Sequence, residues 1–282
     1  MAEEKYQAEG KAAAPNTAPR IWYGEAMPQT LRSGLRINYK LAGSGPPLVL
    51  VHGYTASGFS NWVAHGWVEV LGQHNTLLIP DLRGHGSSQK PYRSAAYSVA
   101  AMAHDVLAVM DEEGVHSAPI FGYSMGGMIA MQLLIEHADR FEAGVIGGMG
   151  SYFPRGRGRF ARERQHAESD APRRSLGQQA RFLASYMARF DPIAIEAAYR
   201  GVFRNGRPVE VARLTEIRQP LLVVAGDRDA FYDPARTLAK TVPGARFVSL
   251  PNEGHLSAVR SPRFMAEVSS FLRQLQPTRA AG

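Results

Sequence analysis

A chain of 282 residues, 45% of them hydrophobic and 20% charged, is long enough to bury roughly three quarters of its unfolded surface in one core without staples. It has no cysteine, which excludes disulfides, a thiol nucleophile and thiolate metal sites. The formal charge of +7 and the pI near 9.8 admit an anionic partner, but the excess is local. Between Ser151 and Glu216 stand thirteen Arg against seven Asp or Glu, a net +6.

Residues 1–19 are small, polar and Pro-containing; they cannot bury enough apolar surface to offset chain entropy and read as a loose leader. The opening Met-Ala-Glu-Glu-Lys lacks the basic and apolar regions of a secretory signal. No apolar run approaches the eighteen or so residues of a spanning helix, so a cytoplasmic protein without a membrane span is expected.

From about Arg20 a βαβ rhythm begins. Leu35–Leu41 reads as a strand, followed by Gly/Pro punctuation from Ala42 to Pro47. Leu48–Val51, Thr76–Pro80, Pro119–Phe121, Gly144–Ile146, Leu221–Ala225 and Phe247–Leu250 are short apolar runs, as strands covered on both faces require. Between them Val99, Met102, Val106, Leu107 and Met110 share one helical face; near the end Phe264, Val268, Phe271, Leu272 and Leu275 share another, with Ser261 as candidate N-cap and Pro262 at the first helical position. This alternation predicts an α/β fold, a mostly parallel sheet with helices on both faces. Ser151–Glu216 breaks the rhythm. Phe182, Leu183, Tyr186, Met187 and Phe190 form one amphipathic face, and Asp191-Pro192 opens a second helix running towards Asn205 and Gly206. The expected organisation is a leader (1–19), a core (20–150 and 217–276), an inserted helical cap (151–216) over the carboxyl edge of the sheet, where open α/β sheets bind ligands, and a tail (277–282).

Gly122-Tyr123-Ser124-Met125-Gly126 matches G-x-S-x-G, between the strand Pro119–Phe121 and a Pro-free apolar helix from Met125 to about His137. Such a sharp strand-to-helix turn pushes the serine oxygen into the cleft, and the flanking glycines let neighbouring backbone pass. It also aims the Met125 backbone N–H and the helix dipole at a developing oxyanion.

Four motifs in order carry a resemblance to the α/β-hydrolases: His52-Gly53-Tyr54 after a strand, Asp81-Leu82-Arg83-Gly84-His85-Gly86 after the next, the Ser124 elbow, and Gly254-His255 near the end. The resemblance covers about Leu31 to Leu275 and is similar to the esterase, enol-lactonase and cofactor-free perhydrolase branches. It implies the α/β-hydrolase fold with Ser124 as nucleophile and His255 as general base, in a loop at the carboxyl end of a strand. His52 is the rival base, but it opens the oxyanion turn and reads as a brace between loops; His85 reads as structural. The family pattern places the orienting acid three residues after Gly226, at Asp229, with Asp227 as the alternative and turn capping as its competing role. The second oxyanion donor is implied at the Tyr54 backbone N–H. The order Ser, Asp, His agrees with the superfamily.

The expected activity is hydrolysis of a small-molecule ester or lactone through an acyl-enzyme on Ser124. A serine nucleophile disfavours the dehalogenase and epoxide hydrolase branches. The alternatives left open are a receptor-like binding protein with slow turnover, a carbon–carbon bond hydrolase and a perhydrolase. No dinucleotide, Walker or H-E-x-x-H motif occurs, so neither cofactor nor metal is implied. Arg155-Gly-Arg157-Gly-Arg159 lacks the repeats and aromatic interleaving of an RNA-binding tract, so no nucleic-acid partner is expected. The arginine excess reads as solvated helix faces, with steering of anionic substrates as the alternative. Trp62 and Trp67 read as core rather than pocket.

Overall fold

The computed structural model describes residues 28–151, 190–205 and 209–275. Eight strands form one sheet: β1 (Gln29–Arg32), β2 (Leu35–Gly43), β3 (Pro47–Val51), β4 (Thr76–Pro80), β5 (Ala118–Tyr123), β6 (Phe141–Gly147), β7 (Leu221–Gly226) and β8 (Arg246–Leu250). Their spatial order is β1-β2-β4-β3-β5-β6-β7-β8. β1 and β2 pair antiparallel, as do β2 and β4, and every other pairing is parallel. The chain folds as an α/β-hydrolase.

The sequence-based strands recur, each lengthened by one to four residues or unchanged. β1 is the strand that the sequence hides. Of Gln-Thr-Leu-Arg only Thr30 is buried, and Leu31 is 75% exposed, so an edge strand leaves no apolar signal. It is made by the turn instead. Ser33 and Gly34 both have positive φ, at 52° and 74°, and join Arg32 to its partner Leu35. Two consecutive positive φ values give the turn whose twist matches a two-residue hairpin.

The central strands explain the unbroken apolar runs. Val49, Val51, Leu78, Ile120, Val223 and Ala225 belong to one core, while Leu48, Leu50, Leu77, Ile79, Phe121, Leu222 and Val224 belong to a second core on the opposite face. Successive side chains alternate between faces, and both faces are covered, so both parities must be apolar. The first core is closed by α2 (Val99–Glu112), α3 (Met125–Glu136) and α5 (Tyr232–Thr241), the second by α1 (Trp67–Leu71) and α7 (Pro262–Leu275). The indole rings of Trp62 and Trp67 pack edge-on at 6.0 Å in the second core, both against Phe121, and the Trp67 indole N–H donates to the Val259 carbonyl at 2.8 Å. They are core residues. Ahead of α7, the Ser261 carbonyl receives the Met265 N–H and closes the first turn.

Between β6 and β7 lie α4 (Pro192–Tyr199) and a wide π-helical turn, Arg200–Arg204. Asp191 caps α4, its carboxylate accepting the Ile193 and Ala194 N–H groups with Pro192 next in line, as expected of an Asp-Pro start. Of the other expected cap-helix face, Phe182, Leu183, Tyr186 and Met187 lie outside the described residues and Phe190 at its end lies within them; the tract Arg155–Arg159, the leader (1–19) and the tail (277–282) lie outside them too.

Candidate active site

Ser124, Asp229 and His255 follow β5, β7 and β8, and the His52–Tyr54 turn follows β3, so all four come to the carboxyl edge of one sheet. Ser124 has φ 55° and ψ −118°, a conformation costing roughly 1–3 kcal/mol for a residue with a side chain. The neighbours hold it there. The Ser124 N–H donates to the Gly147 carbonyl on β6 at 2.8 Å. A Cβ on Gly122 would stand 2.1 Å from the Gly126 carbonyl oxygen, and one on Gly126 would stand 2.0 Å from that of Val51. The two glycines of the motif are thus what lets β5, α3 and the end of β3 close around the turn.

His255 begins the short helix α6 (His255–Ala258). Its Nε2 lies 2.9 Å from Ser124 Oγ, and its Nδ1 lies 2.9 Å from Asp229 Oδ2. A buried carboxylate is an acceptor, so it fixes the proton on Nδ1 and leaves the Nε2 lone pair facing the serine hydroxyl. The second carboxylate oxygen of Asp229 accepts the Phe231 N–H at 2.8 Å, and the Asp229 side chain is fully buried. The imidazole sits between the rings of Tyr123 and Phe231, at 5.6 and 5.5 Å, and the Tyr123 hydroxyl donates to the His255 carbonyl.

The loops carrying acid and histidine are stitched together. The Arg228 N–H donates to the Glu253 carbonyl and the Asp227 N–H to the Leu250 carbonyl, both at 3.0 Å. Asp227 Oδ1 accepts the Asn252 N–H at 2.8 Å. Asp227 is occupied in the turn, and Asp229 is the carboxylate that meets His255.

The Gly53 backbone lies beside the serine: a Cβ there would be 3.3 Å from that of Ser124. The Gly53 N–H donates to Asn61 Oδ1 at 3.0 Å, and the Ala56 N–H closes the turn onto the Gly53 carbonyl at 3.3 Å. Tyr54 therefore stands in a turn at the mouth of the Ser124 elbow. Met125 is the first residue of α3, where an N–H has no intrahelical acceptor. Asn61 is the supporting residue that motif reading missed; beside Ser60 and within four residues of Ser57 and His65, it carries no sequence signal of its own.

His52 and His85 stand behind this turn, fully buried, with ring centroids 5.3 Å apart. His52 Nε2 accepts the Leu82 N–H at 3.0 Å, so its Nδ1 carries the proton and donates to the Gly53 carbonyl at 2.8 Å. Both nitrogens are in use, as a brace between the β3 and β4 loops requires. His85 Nδ1 donates to the Arg83 carbonyl at 2.9 Å. Arg83 makes a bidentate pair with the buried Asp105, both contacts at 2.6 Å, which ties the same loop to α2. Burial lowers the His52 pKa, opposed by Asp81. Burial, with His52 alongside, lowers that of His85 to about 3. The unfolded chain protonates both near pH 6.5 while the folded chain does not. Stability is therefore fully present above pH 6.5 and declines as the pH falls from there towards the folded values, by up to ~1.4 kcal/mol per pH unit for each histidine. The urea midpoint should accordingly drop between pH 7.5 and 5.5. His85→Asn, which keeps a donor for the Arg83 carbonyl, should reduce that slope by about one proton; an unchanged slope would assign the acid sensitivity to other groups.

A cavity of about 770 Å³ opens elsewhere, between Ser98 on the α2 side, Gln132 and Glu136 of α3, and Gly201, Asn205 and Arg213. It is not lined by Ser124, Asp229 or His255. Among the described residues no helix is long and apolar enough to cross a membrane, and no group of three or more His, Asp or Glu is placed to hold a metal ion.

Residues 46–148, which include the Ser124 elbow but neither Asp229 nor His255, match the family model described as the alpha/beta hydrolase fold. A solved structure of Est816, described as an N-acyl homoserine lactone degrading enzyme, is 29% identical, with a TM-score of 0.68 over 88% of this chain and 99% of that one. The enol-lactonase from Burkholderia xenovorans LB400 is 26% identical, with a TM-score of 0.66 over 87% of this chain and 100% of that one. The 2-hydroxymuconate semialdehyde hydrolase of Pseudomonas putida is 26% identical over 281 residues, 93% of this chain and 97% of that protein. The sheet order, the elbow and these likenesses together show the α/β-hydrolase fold.

Proposed function

We propose that the protein is a serine hydrolase that cleaves a carboxylic ester or lactone of a small molecule. The observation that carries this reading is the hydrogen-bonded line from Ser124 Oγ through His255 to Asp229 at the carboxyl edge of the sheet. A serine hydroxyl becomes a competent nucleophile when a positioned base takes its proton. In this reading Ser124 Oγ attacks the carbonyl carbon while His255 Nε2 accepts the proton. The carbonyl oxygen becomes an oxyanion held by the backbone N–H groups of Tyr54 and Met125, at the positive end of α3. Collapse expels the alcohol, which takes the proton from His255, and leaves an acyl ester on Ser124. Water then repeats the sequence with His255 as base, freeing the acid and restoring the serine. Asp229 keeps the imidazole in the working tautomer and stabilises the imidazolium that forms twice per cycle. The segment between β6 and β7 is read as the cap over this site. The similarity to an N-acyl homoserine lactone degrading enzyme and to an enol-lactonase makes lactones and small esters the first substrates to try.

The test is a panel of activated esters and lactones followed from the first turnover. An enzyme releases many equivalents of product per chain. A single stoichiometric burst that then stalls would instead mark a receptor-like member of the superfamily.

A further inference from the structure

We propose that the Tyr54 side chain is a positioning residue that ties the cap helix α4 to the oxyanion turn, so that the seating of the cap sets the aim of the Tyr54 N–H. This rests on the hydrolase reading above. The turn is strained: Thr55, a β-branched residue, has φ 56°, and such a conformation persists only where the surroundings over-determine it. On one side the support is the Asn61 side chain, which accepts the Gly53 N–H. On the other it is the Tyr54 side chain itself. Its hydroxyl donates to the Ile195 carbonyl of α4 at 3.0 Å, across 141 residues of chain. Its ring packs edge-on against Phe203 at 5.3 Å and tilted against Tyr199 at 6.3 Å, and it also lies edge-on to the ring of the buried His85 at 6.1 Å. One residue thus offers its backbone to the reaction and its side chain to the cap.

The helix that it grips is itself held at both ends by the loop that precedes α2. Asp191, the N-cap of α4, accepts the Tyr92 hydroxyl at 2.7 Å. Beyond the C-terminus Gly201 passes so close that a Cβ would lie 2.4 Å from the carbonyl oxygens of both Ser94 and Tyr97. A helix fixed in this way is a rigid anchor for the Tyr54 hydroxyl, and weakening its cap at Asp191 should loosen that anchor.

Tyr54→Phe deletes the hydroxyl and leaves the ring and the backbone N–H. With p-nitrophenyl acetate as substrate, kcat should fall about tenfold with KM little changed, since a donor aimed at the transition state is displaced rather than removed. Asp191→Ala should also lower kcat in the wild-type background, yet add little in the Tyr54→Phe background, because both act through one contact. A tyrosine that only packs would change the melting temperature and leave kcat in place. Retained kcat in Tyr54→Phe, or fully multiplicative effects of the two substitutions, overturns the inference while Ser124-dependent turnover still stands. Turnover that survives Ser124→Ala removes the reading of Ser124 as nucleophile, and this inference with it.

Discussion

Ser124→Ala should abolish ester hydrolysis, lowering kcat by about 10⁴–10⁶, without unfolding the protein. The first part follows from position: His255 Nε2 faces the hydroxyl at 2.9 Å, and no other residue is proposed to attack. The second follows from the elbow. Its strained geometry is held by the Ser124 N–H to Gly147 and by the close passage of Gly122 and Gly126, none of which uses the hydroxyl. The alanine variant should therefore keep the wild-type melting temperature to within a few degrees. Turnover above about one hundredth of wild type in that variant would show that another residue attacks.

Asp229→Asn should lower kcat by about three to four orders of magnitude. The amide is nearly isosteric, so the loop survives, but it can present an N–H towards His255 Nδ1. The proton is then driven to Nε2, where it blocks acceptance from Ser124. Asp227→Asn is the control. Asp227 Oδ1 accepts the Asn252 N–H in the turn between the β7 and β8 loops, and an amide oxygen can do the same, so kcat should stay within about threefold. The opposite ranking would mean that the imidazole is oriented from elsewhere in solution.

The contrast between these two aspartates shows where sequence reading stops. Both follow β7 within three residues of Gly226, and only the family spacing, not the chemistry of their own neighbours in sequence, favours Asp229. What separates them is the neighbouring loop, which offers Asn252 to one and His255 to the other. His52 is a similar case: a histidine after β3 is a plausible base until both of its nitrogens are found in use. The central strands were legible because burial on both faces writes itself as an unbroken apolar run. β1 was not, because a polar edge strand depends on the Ser33–Gly34 turn. The elbow was legible because its serine and two glycines make a compact five-residue pattern between a strand and a helix, although the backbone that Gly126 lets pass is that of the distant Val51. The grip of Tyr54 on Ile195 was not, since neither residue carries a local mark of a partner so distant in sequence.

The most direct measurement of the central claim is covalent labelling of the intact protein with a fluorophosphonate, followed by peptide mass mapping and assay of residual esterase activity. The reagent needs a nucleophilic serine and oxyanion donors together, as the proposed site supplies. The account predicts one adduct per chain, on the peptide containing Ser124, with activity lost in proportion to labelling. An adduct on a different residue, or full labelling of Ser124 with activity intact, would contradict it.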